Sequence, residues 1–313
     1  MLNIVQVHHF WLVVREGSFA RAADLANITQ PALSNSVRSL EQRLGFQLLE
    51  RSSRPIVPTP EGRRILPRVE ALLFEARNLD QAVQNLTSSQ TGHLRLGMTA
   101  VYSTSSGGAI IAALHETNPR VQLDLVVAET VALLQGLRDE AFDLIIGDAR
   151  DLPADAEDLD LVALPSQPGG AFCRPGHPIL GLANPQPGDL ARYRFAGSHF
   201  PTNVIDAFAR IIGHEGPDPV IAVDSHNIAA LRDAAAESDL ILLTTTGAVR
   251  NALARGTLVQ VPIRFTIDGR WLIATRRSRV QHPAIPRLID RILTLAAQDR
   301  TNPDVPSAVL DTS

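Results

Sequence analysis

Residues 17–34 read GSFARAADLANITQPALS. Phe19, Ala22, Ala23 and Ala26 recur at helical spacing and mark one face of a short helix. Ser18 stands ahead of it, where a hydroxyl can accept a bond from an otherwise unpaired backbone N–H. The small alanines let another helix approach closely. Asn27 to Thr29 break the pattern, and Pro31 suits the first turn of a second helix, where its missing N–H is not needed. Beyond the quoted stretch, Leu33, Val37, Leu40 and Leu44 give that second helix a buried stripe, and Gly45 ends it. Upstream, Val7, Phe10, Trp11 and Val14 share one helical face that stops at Gly17. Two short helices joined by a three- or four-residue break form a helix-turn-helix pattern. On spacing alone, an ordinary helical hairpin fits equally well.

The flanking residues separate the two. Gly45 to Pro58 (GFQLLERSSRPIVP) carries strand-like pieces around a polar tip at Arg51 to Arg54, the make-up of a wing. Thr59 and Pro60 then suit the cap and first position of a long helix. In it Ile65, Val69, Leu72, Ala76, Leu79, Val83 and Leu86 alternate steps of four and three, a heptad seam. So narrow a seam wants a partner helix, from a second copy of the chain or from the helix's own domain. Ile65, Val69, Leu72, Leu79 and Val83 are the expected dimer contacts, and Pro67 is expected to bend the helix near its start. Residues 88 to 92 (SSQTG) read as a hinge.

Charge is distributed unevenly. The chain of 313 residues carries −4 overall, but residues 1 to 68 hold nine Arg against five acids, leaving −8 for the remainder. A basic head on an acidic body suits a DNA-binding module attached to a regulatory domain. The chain has no Lys, so its 29 basic residues are all Arg and no single Arg marks a phosphate site by itself. Apolar residues make up 45% and charged residues 20%, as in a globular protein. The lone Cys173 excludes a disulfide within the chain and fits a reducing compartment. No apolar run approaches the roughly 20 residues that span a bilayer, and the first residues read as an amphipathic helix, not a secretory signal. The expectation is a cytoplasmic protein without a membrane partner.

After the hinge the period changes. Residues 94–98, 121–127 and 142–148 are strand-like, with helical stretches between, as in a parallel sheet with helices on its faces. Further strands are expected at 169–174, 193–197, 220–224, 240–244, 257–262 and 270–275. A Pro/Gly-rich patch at 165–170 marks a crossover to a second lobe, and 263–268 a return. The expected layout is a winged helix-turn-helix domain at 1–58, a linker and dimerisation helix with hinge at 59–92, and an α/β domain of two lobes at 93–302. Lobe I would comprise 93–164 and 266–302, lobe II 165–265, with a disordered tail at 303–313.

The opening residues resemble the LysR-type transcriptional regulators. The match is carried by Phe10, Gly17-Ser18-Phe19, Ala22-Ala23, Leu25, Gln30-Pro31-Ala32, Ser34, Val37, Leu40-Glu41, Leu44-Gly45, Leu48, Arg51, Thr59 and Gly62, in order and at the family's spacing. Leu49 replaces the usual Phe before the wing Arg, and Pro58 stands where an aliphatic residue is usual. Gly176-His177-Pro178 is similar to a step in the family's second lobe, whereas Glu237-Ser238-Asp239 departs from its Gly-Leu-Gly. The resemblance implies an α/β effector domain like the periplasmic binding proteins, holding a small-molecule effector between its lobes and needing no cofactor. It also implies a homo-oligomer, a dimer of dimers, on double-stranded promoter DNA, with RNA polymerase as a prospective further partner.

A recognition helix sets its N-terminal side chains against base edges in the major groove. With Leu33, Val37 and Leu40 turned inward, the opposite face carries Gln30, Pro31, Ser34, Asn35 and Arg38. Gln and Asn suit adenine, Arg suits guanine, and Ser34 suits a base or a phosphate. Ser18 is expected at a phosphate, and Arg51 and Arg54 of the wing at phosphate or the minor groove. For each, a solvated helix or loop surface is the alternative.

In open α/β sheets, ligands sit beyond the carboxyl ends of strands. There the sequence offers Thr99 and Tyr102, then Glu129 and Thr130, then Asp148, and in the second lobe Ser198-His199-Phe200 and Ser225-His226. Thr99, Tyr102, Thr130, Phe200 and Ser225 are the expected effector contacts. Helix capping explains Thr130 and Ser225 equally well. His199 and His226 could be surface residues, and Glu129 and Asp148 could pair with nearby Arg or disfavour an acidic ligand. The sequence holds no GxSxG, P-loop, GxGxxG or HExxH pattern, so an enzyme is not expected. The rival reading is a small-molecule binding protein whose helical head contacts another protein.

Overall fold

The computed structural model describes residues 2–87, 92–215, 218–263 and 268–301. Most of the expected hinge, the 303–313 tail and part of the second crossover lie outside these residues, as does the Leu86 side chain. The chain divides into two compact units, Met1–Thr87 and Ser88–Ser313.

The first unit contains α1 (Ile4–Glu16), α2 (Phe19–Leu25), α3 (Gln30–Leu44), β1 (Leu49–Glu50), β2 (Val57–Pro58) and α4 (Pro60–Thr87). Local chemistry sets the boundaries. Gly17 adopts φ +60° to close α1, and Ser18 accepts from the Arg21 N–H to open α2. Thr29 accepts from the Ala32 N–H to open α3, and Gly45 closes it in the left-handed region. Phe10, Val13, Ala22, Leu33, Val37 and Leu48 are completely buried together. Burial of each large apolar side chain contributes roughly 1.5–3 kcal/mol. The wing is a two-residue antiparallel pairing, Leu49 with Pro58 and Glu50 with Val57. Thr59 joins wing and long helix. Its Oγ1 donates to the Gln47 carbonyl at 2.8 Å and accepts from the Gly62 N–H at 3.0 Å. A Cβ on Gly62 would lie 2.3 Å from the Leu48 carbonyl oxygen, so the helix can meet the wing backbone only at glycine.

The heptad expectation is half corrected. α4 runs unbroken through Pro67. Val69 is buried in the head's own core, with Ile65 packed against it, because the first turns of α4 lie against α1. Those two residues are intradomain contacts. Leu72, Leu79 and Val83 continue the same stripe where the head no longer covers it, and are 43%, 65% and 53% exposed.

The second unit contains two five-stranded sheets. The first is ordered β4-β3-β5-β12-β6, with β3 (Gly92–Met98), β4 (Val121–Val127), β5 (Leu144–Asp148), β6 (Leu159–Ala163) and β12 (Trp271–Arg276). The second is ordered β11-β7-β10-β8-β9, with β7 (Gly169–Cys173), β8 (Arg194–Gly197), β9 (Ile221–Asp224), β10 (Leu240–Thr245) and β11 (Val259–Gln260). Both sheets are mixed, not parallel: β12 runs antiparallel to β5 and β6, and β7 antiparallel to β10 and β11. These antiparallel strands flank the two crossovers, where the chain passes from one sheet to the other and returns. Strand β6 escapes sequence reading because it is a sheet edge with Asp160 inside it and little alternation.

Each sheet is covered on both faces, which explains strands that read as continuous apolar runs. In the first, Ile146 and Ile273 face α6 (Gly108–Thr117) and α11 (Ala284–Thr301), while Ile145 and Leu272 face α7 (Thr130–Arg138). In the second, Phe195 and Ile241 face α8 (Thr202–Ile212), while Ala196 and Leu242 face α9 (Ile228–Glu237) and α10 (Thr246–Ala254). After β3 the chain makes the short α5 (Ala100–Tyr102) and a π-helical turn, Ser103–Gly107, before α6. That turn meets α10 of the other lobe; a Cβ on Gly247 would lie 3.0 Å from Ser105 Cβ. The crossovers pair with one another, as Gln167 and Gly269 exchange backbone hydrogen bonds of 3.0 and 2.8 Å.

Candidate functional site: recognition helix and interlobe cleft

On the first unit, Leu33, Val37 and Leu40 anchor one side of α3. The other side presents Gln30, Pro31, Asn35 and Arg38, all exposed, with Ser34 half-buried. Arg38 donates to Asn35 Oδ1 at 3.0 Å, so two expected base-reading groups are aligned with each other. Ser18 is committed to capping α2 and remains partly accessible. Arg54 is exposed at the wing tip.

Arg51 has a second task that sequence reading did not assign. Its guanidinium donates to Glu41 Oε2 at 2.8 Å and to Ser34 Oγ at 3.2 Å, and lies over the Phe19 ring. Glu41 is buried, and its Oε1 accepts from the Leu48 and Leu49 N–H groups. One carboxylate thus ties the end of α3 to the start of the wing, and Arg51 spans from it to the recognition face. The clue available in the sequence was an acid in the interior half of an otherwise apolar stripe.

On the second unit, a cleft lies between the two lobes at the carboxyl ends of the parallel strands. Thr99, Glu129, Thr130, Asp148, Asp151 and Trp271 line it from one lobe, and Ser198, His199 and His226 from the other. Its internal volume is about 30 Å³, little more than a water molecule needs. Thr130 Oγ1 accepts from the Asp148 N–H at 2.9 Å and holds the start of α7 to the end of β5. Asp148 accepts both the backbone N–H and the guanidinium of Arg150, and that hydrogen-bonded carboxylate raises the Arg150 pKa. Burial, then the neighbouring Asp148, push the Asp151 carboxyl above its usual range. Glu129 is bracketed from the opposite lobe by His199 Nδ1 and His226 Nε2, each 3.6 Å from Oε1.

Two expected effector contacts, Tyr102 and Phe200, are corrected. Tyr102 is 2% exposed in the core of its lobe, edge-on to Trp271 at 5.4 Å, because helical geometry turns it under the sheet. Phe200 lies across Gly197 and packs with Phe208, Ile221 and Leu243 inside its own lobe. Ser225 accepts from the Asn227 N–H ahead of α9 and is not among the cleft-lining residues. Thr99 and Thr130 do line the cleft. Glu129 and Asp148 turn out to be paired, with histidines and with Arg150. Asp151 went unnoticed because it follows its strand by three residues, in a short turn.

Cys173 is buried, and its desolvated thiol is pushed up to about 11. Among the described residues no cluster of His, Cys, Asp and Glu is arranged to hold a metal ion, and no helix is long and apolar enough to cross a membrane.

A winged helix-turn-helix head and a two-lobed α/β domain with an interlobe cleft define a transcriptional regulator of the effector-responsive, DNA-binding kind. Residues 4–63 match the model of the bacterial regulatory helix-turn-helix proteins of the lysR family, and residues 87–297 match the LysR substrate binding domain. The chain belongs to the LysR family of transcriptional regulators. It is 32% identical over 308 residues to the SDS degradation transcriptional activation protein of a Pseudomonas species, covering 97% of this chain and 99% of that one. It is 30% identical over 145 residues to the OxyR dual regulator of Escherichia coli K12, covering 46% of this chain and 48% of that one. A full-length OxyR variant from Pseudomonas aeruginosa shares the fold, with a TM-score of 0.65 at 21% identity, covering 100% of this chain and 99% of that one. Full-length CbnR in complex with its target DNA matches with a TM-score of 0.55 at 17% identity, covering 94% and 100%. The family consists of regulators, not enzymes.

Proposed function

We propose that this regulator acts in the cytoplasm and reads double-stranded promoter DNA through Gln30, Pro31, Ser34, Asn35 and Arg38. Ser18, Arg51 and Arg54 address the phosphates. The observation that carries the reading is the division of α3 into a sealed apolar side and a polar side turned to solvent. Phosphate contacts would position the head, and base-edge contacts would specify the site. Leu72, Leu79 and Val83 form the seam that joins two heads, and two such dimers meet on one promoter, where RNA polymerase is the further partner.

A small-molecule effector occupies the interlobe cleft. It shifts the balance between lobe arrangements only by its difference in affinity for them. The effector is this protein's own. The relatives named for hydrogen peroxide do not lend theirs, because the one thiol in this chain is buried and held protonated.

The test begins with genomic fragments selected by the purified full-length chain. Ser34→Ala with Arg38→Ala is expected to abolish band shifts on those fragments while circular dichroism stays unchanged. Unaltered affinity would refute the assignment of the recognition face. Wild-type binding is expected to weaken steeply as salt rises; insensitivity to salt would favour a protein partner for the head.

A further inference from the structure

The interlobe cleft has a charge balance of its own, and this inference rests on its being the effector site. Three carboxylates line it: Glu129, Asp148 and Asp151. The charged groups around them can be accounted for one by one. Arg150, beside the cleft, spends its guanidinium on both oxygens of Asp148 and neutralises that carboxylate. No arginine is among the lining residues. His199 and His226 approach Glu129 from the opposite lobe at 3.6 Å, longer than a hydrogen bond, and all three are 41–50% exposed at the mouth. The field of Arg150 also reaches Asp151, as does that of His199, and Thr130 donates to it, yet among the described residues the three lining carboxylates face a single arginine, so the cleft keeps an excess of negative charge. An acidic ligand would have to sit against that excess.

A second observation points inward. Thr99 Oγ1, on the cleft wall, exposes less than 1 Å² to water and has no hydrogen-bond partner. A hydroxyl so placed loses its hydration without compensation unless a ligand supplies the bond. Its oxygen can accept from an N–H, adding a neutral acceptor to the stronger carboxylates. The resulting set of acceptors suits a group that only donates: an ammonium carries three donors and a guanidinium five, and neither has an acceptor to leave unmatched.

We propose that the effector of this regulator is a small organic cation, bound through an ammonium or guanidinium group to Asp151, Glu129 and Thr99. The cleft is nearly filled as it stands, so the ligand enters by parting the lobes. In doing so it takes the place of His199 and His226 beside Glu129. Binding and lobe geometry are thereby coupled through one carboxylate.

Thermal-shift measurements and calorimetry on the full-length chain test this with putrescine and agmatine as cationic probes, and succinate and benzoate as anionic ones. At least one cation is expected to bind saturably and raise the melting temperature, while the anions do not. Asp151→Asn and Glu129→Gln, each close to isosteric, are expected to weaken that binding about tenfold or more without changing the ligand-free melting temperature. Absence of any cation-dependent shift overturns the proposal, as does cation affinity that neither variant alters, or a response to zinc ions alone. A cleft-filling Ser198→Trp variant tests the underlying reading separately. If anions bind and Ser198→Trp abolishes their effect, the cleft stands as the effector site and the cationic class falls. If Ser198→Trp leaves every probe's effect intact, the cleft itself is not the site.

Discussion

Arg51 Nη2 lies 2.8 Å from Glu41 Oε2, and through that contact the wing and the recognition helix are a single mechanical piece. Glu41 is almost completely enclosed, while the Arg51 side chain keeps 32% of its surface exposed. The buried partner therefore carries the structural weight, and the exposed one can still meet a phosphate.

Replacing Glu41 by Ala removes acceptors for the Leu48 and Leu49 N–H groups as well as the partner of Arg51. The expected loss is about 2–3 kcal/mol of head stability, since buried donors are left unpaired. Arg51→Ala should cost less than half of that and act mainly on DNA affinity. The chain has two tryptophans, Trp11 in the first unit and Trp271 in the second. A Trp271→Phe background makes Trp11 fluorescence in urea a reporter of the head. Equal destabilisation by both substitutions would contradict this division of roles.

The exposed and buried halves of the α4 stripe should respond differently to the same charge. Leu72→Asp with Leu79→Asp is expected to yield folded monomers in analytical ultracentrifugation. Val69→Asp is expected to unfold the head, because it places a carboxylate in a closed apolar core. Persistence of the dimer in the first variant would remove the seam from the account.

Head stability should fall in mild acid. Burial, then His9 and Arg77, hold His8 below the ordinary histidine value of about 6.5. Well above that value neither folded nor unfolded His8 binds a proton, so it contributes no dependence on pH. Below it the unfolded chain takes up a proton that the folded head resists, and stability is lost as pH drops toward the lowered folded value. His9, lowered by burial, adds in the same sense. Urea midpoints read through Trp11 should therefore decline between about pH 7 and about pH 5, and His8→Gln should flatten the decline. A midpoint that rises on acidification would show the sign to be wrong.

Gln167 is expected to act as the clasp between lobes. Its Oε1 accepts from Ser105 Oγ and from the Trp271 indole N–H, and its Nε2 donates to Ser106 Oγ. Gln167→Ala should lower the stability of the second unit by roughly 2 kcal/mol, a few degrees in melting temperature. It should also red-shift Trp271 emission in a Trp11→Phe background. An unchanged spectrum would mean that the indole does not depend on this amide.

The sequence by itself determined the elements of the head. Ser18, Thr29, Gly17 and Gly45 are capping residues whose chemistry acts within a turn or two, and Leu33, Val37 and Leu40 sit at a spacing that only a one-sided helix satisfies. Most strands, all but the edge strand β6, were legible for a similar reason: the sheets are covered on both faces, so their inner strands read as continuous apolar runs. The face proposed to read DNA followed by subtraction, as whatever α3 does not bury.

Only the tertiary structure decided where the α4 stripe changes from internal core to open surface, because that depends on how far α1 reaches. It also decided that Tyr102 and Phe200 turn inward while Asp151, His199 and His226 meet across the cleft. Those residues follow separate strand ends, 75 positions apart between Asp151 and His226. No local periodicity carries that information; it arises from the order in which the strands assemble.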